Sequence, residues 1–377
     1  MKVPFNRPHM TGRELSYIAR AHQNSMLAGD GPFTAACSRW LEQRTGARKA
    51  LLTHSCTAAL DMAAILAGIG PGDEVILPSY TFVSTANAFV LRGGVPVFVD
   101  IHADTLNLDA SLIESAITPR TRAIVPVHYA GVACEMDAIL EIARRRGLLV
   151  IEDAAQGLMS DYRGRALGAL GALGALSFHE TKNVISGEGG ALLVNDERLI
   201  ARAEIVREKG TDRSRFFRGE VDKYTWVDVG SSYLPSELTA AFLWAQCEQA
   251  EQIRKRRVAV WSQYHDGFEG LERAGRVRRP IVPPDREGNG HLYYLLVADR
   301  AERSRVLERL RQAGVNAVFH YVPLHSSPAG RRFGRTVGRL SITENVSDRL
   351  IRLPLWVEMG AQEVEYVIAS VRNALEG

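Results

Sequence analysis

From Gly31 onward the chain alternates short apolar runs, each closed by a polar or glycine-rich turn, with stretches of helical period. That rhythm belongs to an α/β chain with a mostly parallel sheet, because parallel neighbours need a long crossover and a helix supplies it. Strands are expected at 49–53, 74–77, 95–100, 122–127, 148–152 and 191–195, with helices near 57–66, 110–117 and 136–146. The unbroken run Leu148-Leu149-Val150-Ile151 suits a strand buried on both faces. Sheets of this kind place ligands beyond the carboxyl ends of their strands, so the residues at strand exits are the first candidates for chemistry.

The segment R-A-L-G-A-L-G-A-L-G-A-L over 165–176 has a low-complexity look, but glycines three apart also fit a tight, buried turn and strand, and the ordered reading is preferred. A long amphipathic pattern over 236–271 leads into a strand at 292–297, a helix at 301–313, a strand at 315–320 and final helices. The expected organisation of the 377 residues is therefore an N-terminal arm (1–30) packing on the small domain, a large α/β domain (31–245) and a smaller α+β domain (246–377).

Composition narrows the partners. Forty-six basic against 43 acidic residues leave a net charge of +3, which gives no basic footprint for nucleic acid. No apolar run approaches the ~18 residues of a membrane span. Cys37, Cys56, Cys134 and Cys247 lie far apart without a Cys-x-x-Cys pair, which suits a reducing, cytoplasmic setting. No phosphate loop and no G-x-G-x-x-G fingerprint is present. His320 and His325 have no cysteine or acidic cluster beside them, so no metal is expected.

Two residues at strand exits stand out. Asp153 follows the buried run in L-L-V-I-E-D-A-A-Q, and Lys182, one of only six lysines, lies in S-F-H-E-T-K-N ahead of S-G-E-G-G. A lysine amine forms a Schiff base with a carbonyl, and pyridoxal phosphate also needs an acid at its pyridine nitrogen. Spacing alone favours a turn-capping Asp and a solvated Lys by roughly two to one. The segment T-H-S-C-T-A-A-L adds Ser55, Cys56 and Thr57 between a strand and a helix, where free amides and the helix dipole attract an anion. Ser177 offers a further hydroxyl, and N-capping by Ser55 or Thr57 is compatible with both readings.

The motifs G-P-F-T, S-C-T-A-A-L, G-D-E-V-I-L-P-S-Y-T-F-V-S-T, I-E-D-A-A-Q, S-F-H-E-T-K-N and G-E-G-G together resemble the DegT/DnrJ/EryC1/StrS family of sugar-nucleotide aminotransferases, over essentially the whole chain. That resemblance implies the type I fold of pyridoxal-phosphate enzymes and a homodimer with shared active sites. It implies that Lys182 carries the cofactor and shuttles the proton, that Asp153 pairs with the pyridinium, that Gln156 lies at the ring edge, and that Phe82 stacks on the ring. Phosphate would be held by Thr57 with Cys56 and Ala58, and by Ser177. Ser232, in G-S-S-Y-L, stands where many members carry an Asn that reaches the neighbouring subunit's cofactor.

The likeness extends through P-V-H-Y-A-G-V-A-C-E-M-D, R-E-K-G-T-D-R-S-R-F-F-R-G and F-H-Y-V-P-L-H. It implies transamination of dTDP-4-dehydro-6-deoxy-D-glucose to dTDP-4-amino-4,6-dideoxy-D-galactose, with L-glutamate as donor. Candidate substrate contacts are Arg213, Arg215 and Arg218, together with His179, Glu180, His320, Tyr321 and His325; the arginine run reads equally as a solvated basic loop. The alternatives are a dehydratase of the same fold, in which a histidine replaces the lysine, a 3-aminotransferase, and a noncatalytic regulator, for which no spare module is visible.

Overall fold

The computed structural model describes residues 1–376. The strands that position the site are β1 (Lys49–Thr53), β2 (Glu74–Pro78), β3 (Val95–Val99), β4 (Thr121–Ile124), β5 (Leu149–Asp153), β6 (Leu173–Ser177), β7 (Gly190–Val194), β8 (Tyr293–Leu296), β9 (Arg335–Thr336) and β10 (Leu350–Leu353). Eight of them form one sheet in the order β1-β7-β6-β5-β4-β2-β3-β9. Every pairing is parallel except those of β7, which runs antiparallel to β1 and β6.

Period-two burial splits the sheet into two packed faces. Ala50, Leu52, Ile76, Val97, Ile124 and Val150 pack with α2 (Pro32–Thr45), α5 (Met136–Arg146) and α6 (Glu237–Cys247). Leu51, Val75, Leu77, Ala123 and Ile151 pack with α3 (Cys56–Leu66) and α4 (Val83–Val90) on the other side. The smaller core surrounds the antiparallel pair β8/β10 with α7 (Ala250–Gly267), α8 (Arg300–Gln312) and α9 (Ala361–Glu376). A fourth cluster, Tyr80, Tyr129, Tyr294 and Leu350 among it, joins the two parts.

The G-P-F-T motif is the start of α2, and its amides are capped from another helix. Glu237 at the head of α6 accepts from Phe33 N and Thr34 N, both at 2.8 Å, supplying the cap that Gly31 lacks. The glycine repeat is ordered, as expected, and its reason is Glu152. This carboxylate, wholly buried at the end of β5, accepts from Gly168 N (2.8 Å), Leu170 N (2.7 Å), Gly171 N (2.6 Å) and His128 Nε2 (2.8 Å). Wrapping a loop that tightly around one acid needs glycine: Gly168 has φ +89°, and a Cβ on Gly174 would lie 2.1 Å from Gly168 O.

Three expectations need correction. The helical pattern over 236–271 breaks between Cys247 and Ala250, where the chain leaves one core for the other. Residues 315–320 make only isolated bridges, Val315 to Val3 and Val318 to Arg352, because the segment then turns to meet Tyr80, whose hydroxyl donates to His320 O. The arm is divided: Val3 pairs with Gly314 and Asn316, whereas α1 (Glu14–Gln23) packs on α6 of the large core. The division of the C-terminal part is equally uneven, since β9 adds to the edge of the large sheet.

Candidate active site

A cavity of about 560 Å³ opens beyond the carboxyl ends of β1, β2, β5 and β6. It brings together Cys56, Thr57, Phe82, Asp153, Gln156, Ser177, His179, Lys182, His320 and Tyr321, residues spread over 266 positions of sequence. Parallel strands make this convergence: their exits lie along one edge, so residues remote in sequence become neighbours there.

Asp153 closes β5 and is buried. Its Oδ2 accepts from Thr85 Oγ1 at 2.7 Å and its Oδ1 from Ala155 N at 3.1 Å, and Thr85 is in turn 2.8 Å from Thr81 Oγ1. These neutral donors fix the carboxylate without neutralising it. Lys182 sits in the β6–β7 loop, its amine without a hydrogen bond or ion pair among the described residues. Burial pushes its pKa below the ordinary amine value; Cys56 and Asp153 oppose that, and the charge of Arg352 adds to it.

At the other end of the cavity Ser55 caps α3 by accepting from Ala58 N at 3.1 Å. The amides of Cys56 and Thr57, first in the helix, have no intrahelical partner, and Thr57 Oγ1 lies 2.8 Å from Ser84 Oγ. Phe82 immediately precedes α4 and is 58% exposed, so it is a cavity wall rather than a core residue. Gln156 accepts from Ala130 N at 2.7 Å and donates to Tyr321 OH at 3.2 Å. Tyr129 OH is 3.0 Å from His320 Nδ1, and burial lowers the His320 pKa far below the usual imidazole range, with Arg352 and Lys182 pushing the same way.

Several candidates lie elsewhere. The Ala58 amide is spent on Ser55, and the residue is buried behind the cavity wall. Glu180 is exposed beyond the cavity lining. His325 is held between Ser79 Oγ (2.7 Å) and Glu344 (3.3 Å). Arg213, Arg215 and Arg218 pair with Glu208, Glu220 and Glu204 around a short helix beside a separate groove. Ser232 is exposed, outside its own chain's cavity, and bridges Glu208. Conversely, Thr81, Ser84, Thr85, Thr181, Glu188 and Arg352 line the cavity without having been singled out. Of these only Arg352 left a signal: a lone charge inside the apolar strand Leu350-Ile351-Arg352-Leu353.

The donor set fits one group well. An acid without a cationic partner suits a protonated ring nitrogen, a free amine suits a carbonyl, and amides with hydroxyls at a helix start suit a phosphate. A predominantly parallel sheet with lysine and aspartate at its strand exits defines the class: a type I pyridoxal-phosphate fold, with no group of three or more potential metal ligands among the described residues. The chain belongs to the DegT/DnrJ/EryC1/StrS aminotransferase family, which it matches over residues 8–372. It is 33% identical to GDP-perosamine synthase of Caulobacter vibrioides, covering 99% of this chain and 98% of the relative. It is 32% identical to the UDP-4-amino-4-deoxy-L-arabinose–oxoglutarate aminotransferase of Shewanella sediminis, covering 98% of this chain and 97% of the relative. A putative sugar aminotransferase from Streptococcus pneumoniae, solved in its PMP form, superposes with TM-score 0.92 at 27% identity, covering 100% of this chain and 98% of that one. Aminotransferases of this family work with pyridoxal phosphate. No helix among the described residues is long and apolar enough to cross a membrane.

Proposed function

We propose that this sugar aminotransferase, with pyridoxal phosphate bound, moves the amino group of L-glutamate to C4 of dTDP-4-keto-6-deoxy-D-glucose, giving the 4-amino sugar of galacto configuration. The observation that carries the reading is the meeting of an unpaired Lys182 and a buried, uncompensated Asp153 in one cavity. The motif likeness over P-V-H-Y-A-G-V-A-C-E-M-D and F-H-Y-V-P-L-H supports the sugar and its nucleotide, and the oxoglutarate in a relative's name supports the donor. A lysine at position 182 speaks against the dehydratases of the same fold.

Bound pyridoxal phosphate supplies a carbonyl for the amine and an electron-withdrawing ring for the charge left when a C–H bond breaks. Asp153, fixed by Thr85 and Ala155 N, keeps the proton on the ring nitrogen. Lys182 Nζ takes the proton from the donor's α-carbon and returns it on the far side of the transfer, a task for which its burial-lowered pKa suits it. In the sugar half the same amine delivers a proton to C4. The α3 amides with Thr57, Ser84 and Ser177 hold the phosphate, Phe82 covers the ring face, and His179 lines the sugar side.

The working unit is a cytoplasmic homodimer with shared sites. The exposed Phe217, Tyr224 and Trp226, which precede Ser232 in sequence, support a partner surface. Incubation with L-glutamate and the 4-keto sugar nucleotide, followed by NMR of the product, tests the reading. An axial amine at C4 is expected; an amine at C3 or an equatorial amine at C4 refutes the substrate assignment. Mixing Lys182→Ala and Ser232→Trp chains should restore some activity, and fully active monomers would refute shared sites.

A further inference from the structure

Beside Lys182 lies a second void, of about 10 Å³, that shares Ala155, Gln156, Ser177 and Lys182 with the cofactor cavity and is lined beyond them by Asn183, Asn289 and His291. It has room for about one water molecule. His291, two residues before β8, is a buried titratable group that the transfer chemistry leaves unused. Its neighbours fix its tautomer. The Asn289 carbonyl can only accept, so Asn183 presents Nδ2 to it at 2.9 Å and turns Oδ1 to His291, 3.0 Å from Nδ1. An amide oxygen can only accept in its turn, so the ring proton sits on Nδ1 and Nε2 is a bare lone pair, with no hydrogen bond among the described residues. Asn289 holds the arrangement together: its Oδ1 accepts from His291 N at 2.9 Å, and its Nδ2 donates at 2.8 Å to both Gln156 O and Leu158 O.

The ring stays neutral. Burial holds its pKa well below the usual imidazole range, with Lys182, Arg352, Arg257 and His320 pushing the same way. A neutral acceptor beside an amine does what no ion could do there. A carboxylate would hold Lys182 as an ammonium, and a cation would repel it; a lone pair draws one N–H toward itself, and the lone pair of the amine then points away, to where a carbonyl is attacked. We propose that His291 Nε2, through one water in the small void, accepts from the Lys182 amine and aims its lone pair into the cofactor cavity, an inference that rests on the assignment of Lys182 as the carbonyl-binding amine. Gln156 and Ser177 line both spaces and give that water further polar neighbours. His291 is not part of the cofactor cavity's lining, so it acts as a positioning residue.

The test reads cofactor capture rather than turnover. Full-length protein is stripped and reloaded with pyridoxal phosphate over a range of pH, and the rate of the absorbance change is followed. Borohydride reduction and peptide mapping then locate the lysine, one of six, whose amine hydrogens have left with the carbonyl oxygen as water. The rate should rise with pH to a plateau, with a midpoint that reports the titration of the amine. An acceptor favours the charged amine and aims the neutral one, so His291→Leu should show a midpoint about one pH unit lower and a plateau about tenfold slower, the worth of one hydrogen bond, with circular dichroism unchanged. His291→Gln, which restores a neutral acceptor, should bring the plateau back to within about threefold of wild type. Nitrogen NMR of the stripped protein should show a neutral, Nδ1-protonated histidine down to about pH 5 that is missing from both variants, and this decides the matter even where the leucine variant fails to fold. An unchanged midpoint and plateau in His291→Leu, a His291→Gln variant as slow as His291→Leu, or a His291 ring protonated on Nε2 would overturn the proposal. A wild-type label on any lysine other than Lys182 would sink the underlying assignment, and the role of His291 with it.

Discussion

Replacing Glu152 by Gln changes one atom, yet the structure gives it a large effect. Each carboxylate oxygen takes two donors: Oε1 from Leu170 N and Gly171 N, Oε2 from Gly168 N and His128 Nε2. An amide keeps one accepting oxygen and turns an NH₂ toward the other pair. His128 cannot accept instead at no cost, because its Nδ1 already takes the Cys134 N–H at 3.2 Å and would have to carry the proton. At least one buried N–H is stranded and a second contact becomes repulsive, each costing about 1–3 kcal/mol. The expected loss is about 3–5 kcal/mol, a large share of the ~5–15 kcal/mol that usually holds a fold. Thermal unfolding followed by circular dichroism should show a midpoint lowered by roughly 10 °C. Because Asp153 is the next residue on β5, cofactor should also bind more weakly. A midpoint within about 2 °C of wild type would refute the view that this acid organises the glycine loop.

Lys182→Ala should lose the long-wavelength absorbance of cofactor-loaded protein together with turnover, and retention of both would end the assignment of that lysine. Asp153→Asn can still accept from Thr85 but no longer favours a protonated ring, so kcat should fall about 100-fold or more, measured at saturating cofactor. Glu74, held by Arg335 (2.7 and 3.0 Å) with Thr118 and Arg120, has its pKa lowered from 4.5 to about 2. Its stabilising contribution is therefore complete above about pH 4.5 and lost as pH falls toward about 2. Denaturant unfolding of Glu74→Gln should show a deficit of roughly 1–3 kcal/mol at neutral pH that closes over that interval; a deficit independent of pH would contradict it.

Much of this was legible because apolar runs closed by polar turns mark buried parallel strands, so Asp153 and Lys182 could be placed at strand exits before any contact was known. The six strands of the large sheet expected from sequence lie within three residues of the observed bounds. What the sequence left open was charge. The run R-S-R-F-F-R reads equally as substrate contacts and as a solvated basic loop, because ion pairing leaves no mark in a local pattern; its arginines pair with Glu204, Glu208 and Glu220. Arg352 did leave a mark, one cation in a four-residue apolar strand, but its surroundings come from residues up to 347 positions away and could not be read from that strand. Thr85 escaped because a threonine inside a helix looks unremarkable until its hydroxyl is seen against a carboxylate.

The first nine residues deserve a practical reading. Val3 is stitched to the small domain, Phe5 faces the Arg352 guanidinium, Asn6 donates to the Glu180 carbonyl at 3.2 Å two residues before Lys182, and His9 pairs with Glu358. An affinity tag fused ahead of Met1 would thus hang from the segment that carries Val3 into the small core and Phe5 onto Arg352, and trimming back to residue 10 would remove both. Purification and immobilisation are better done from the other end, beyond α9, so that measured amino-acid preference belongs to the enzyme and not to the handle.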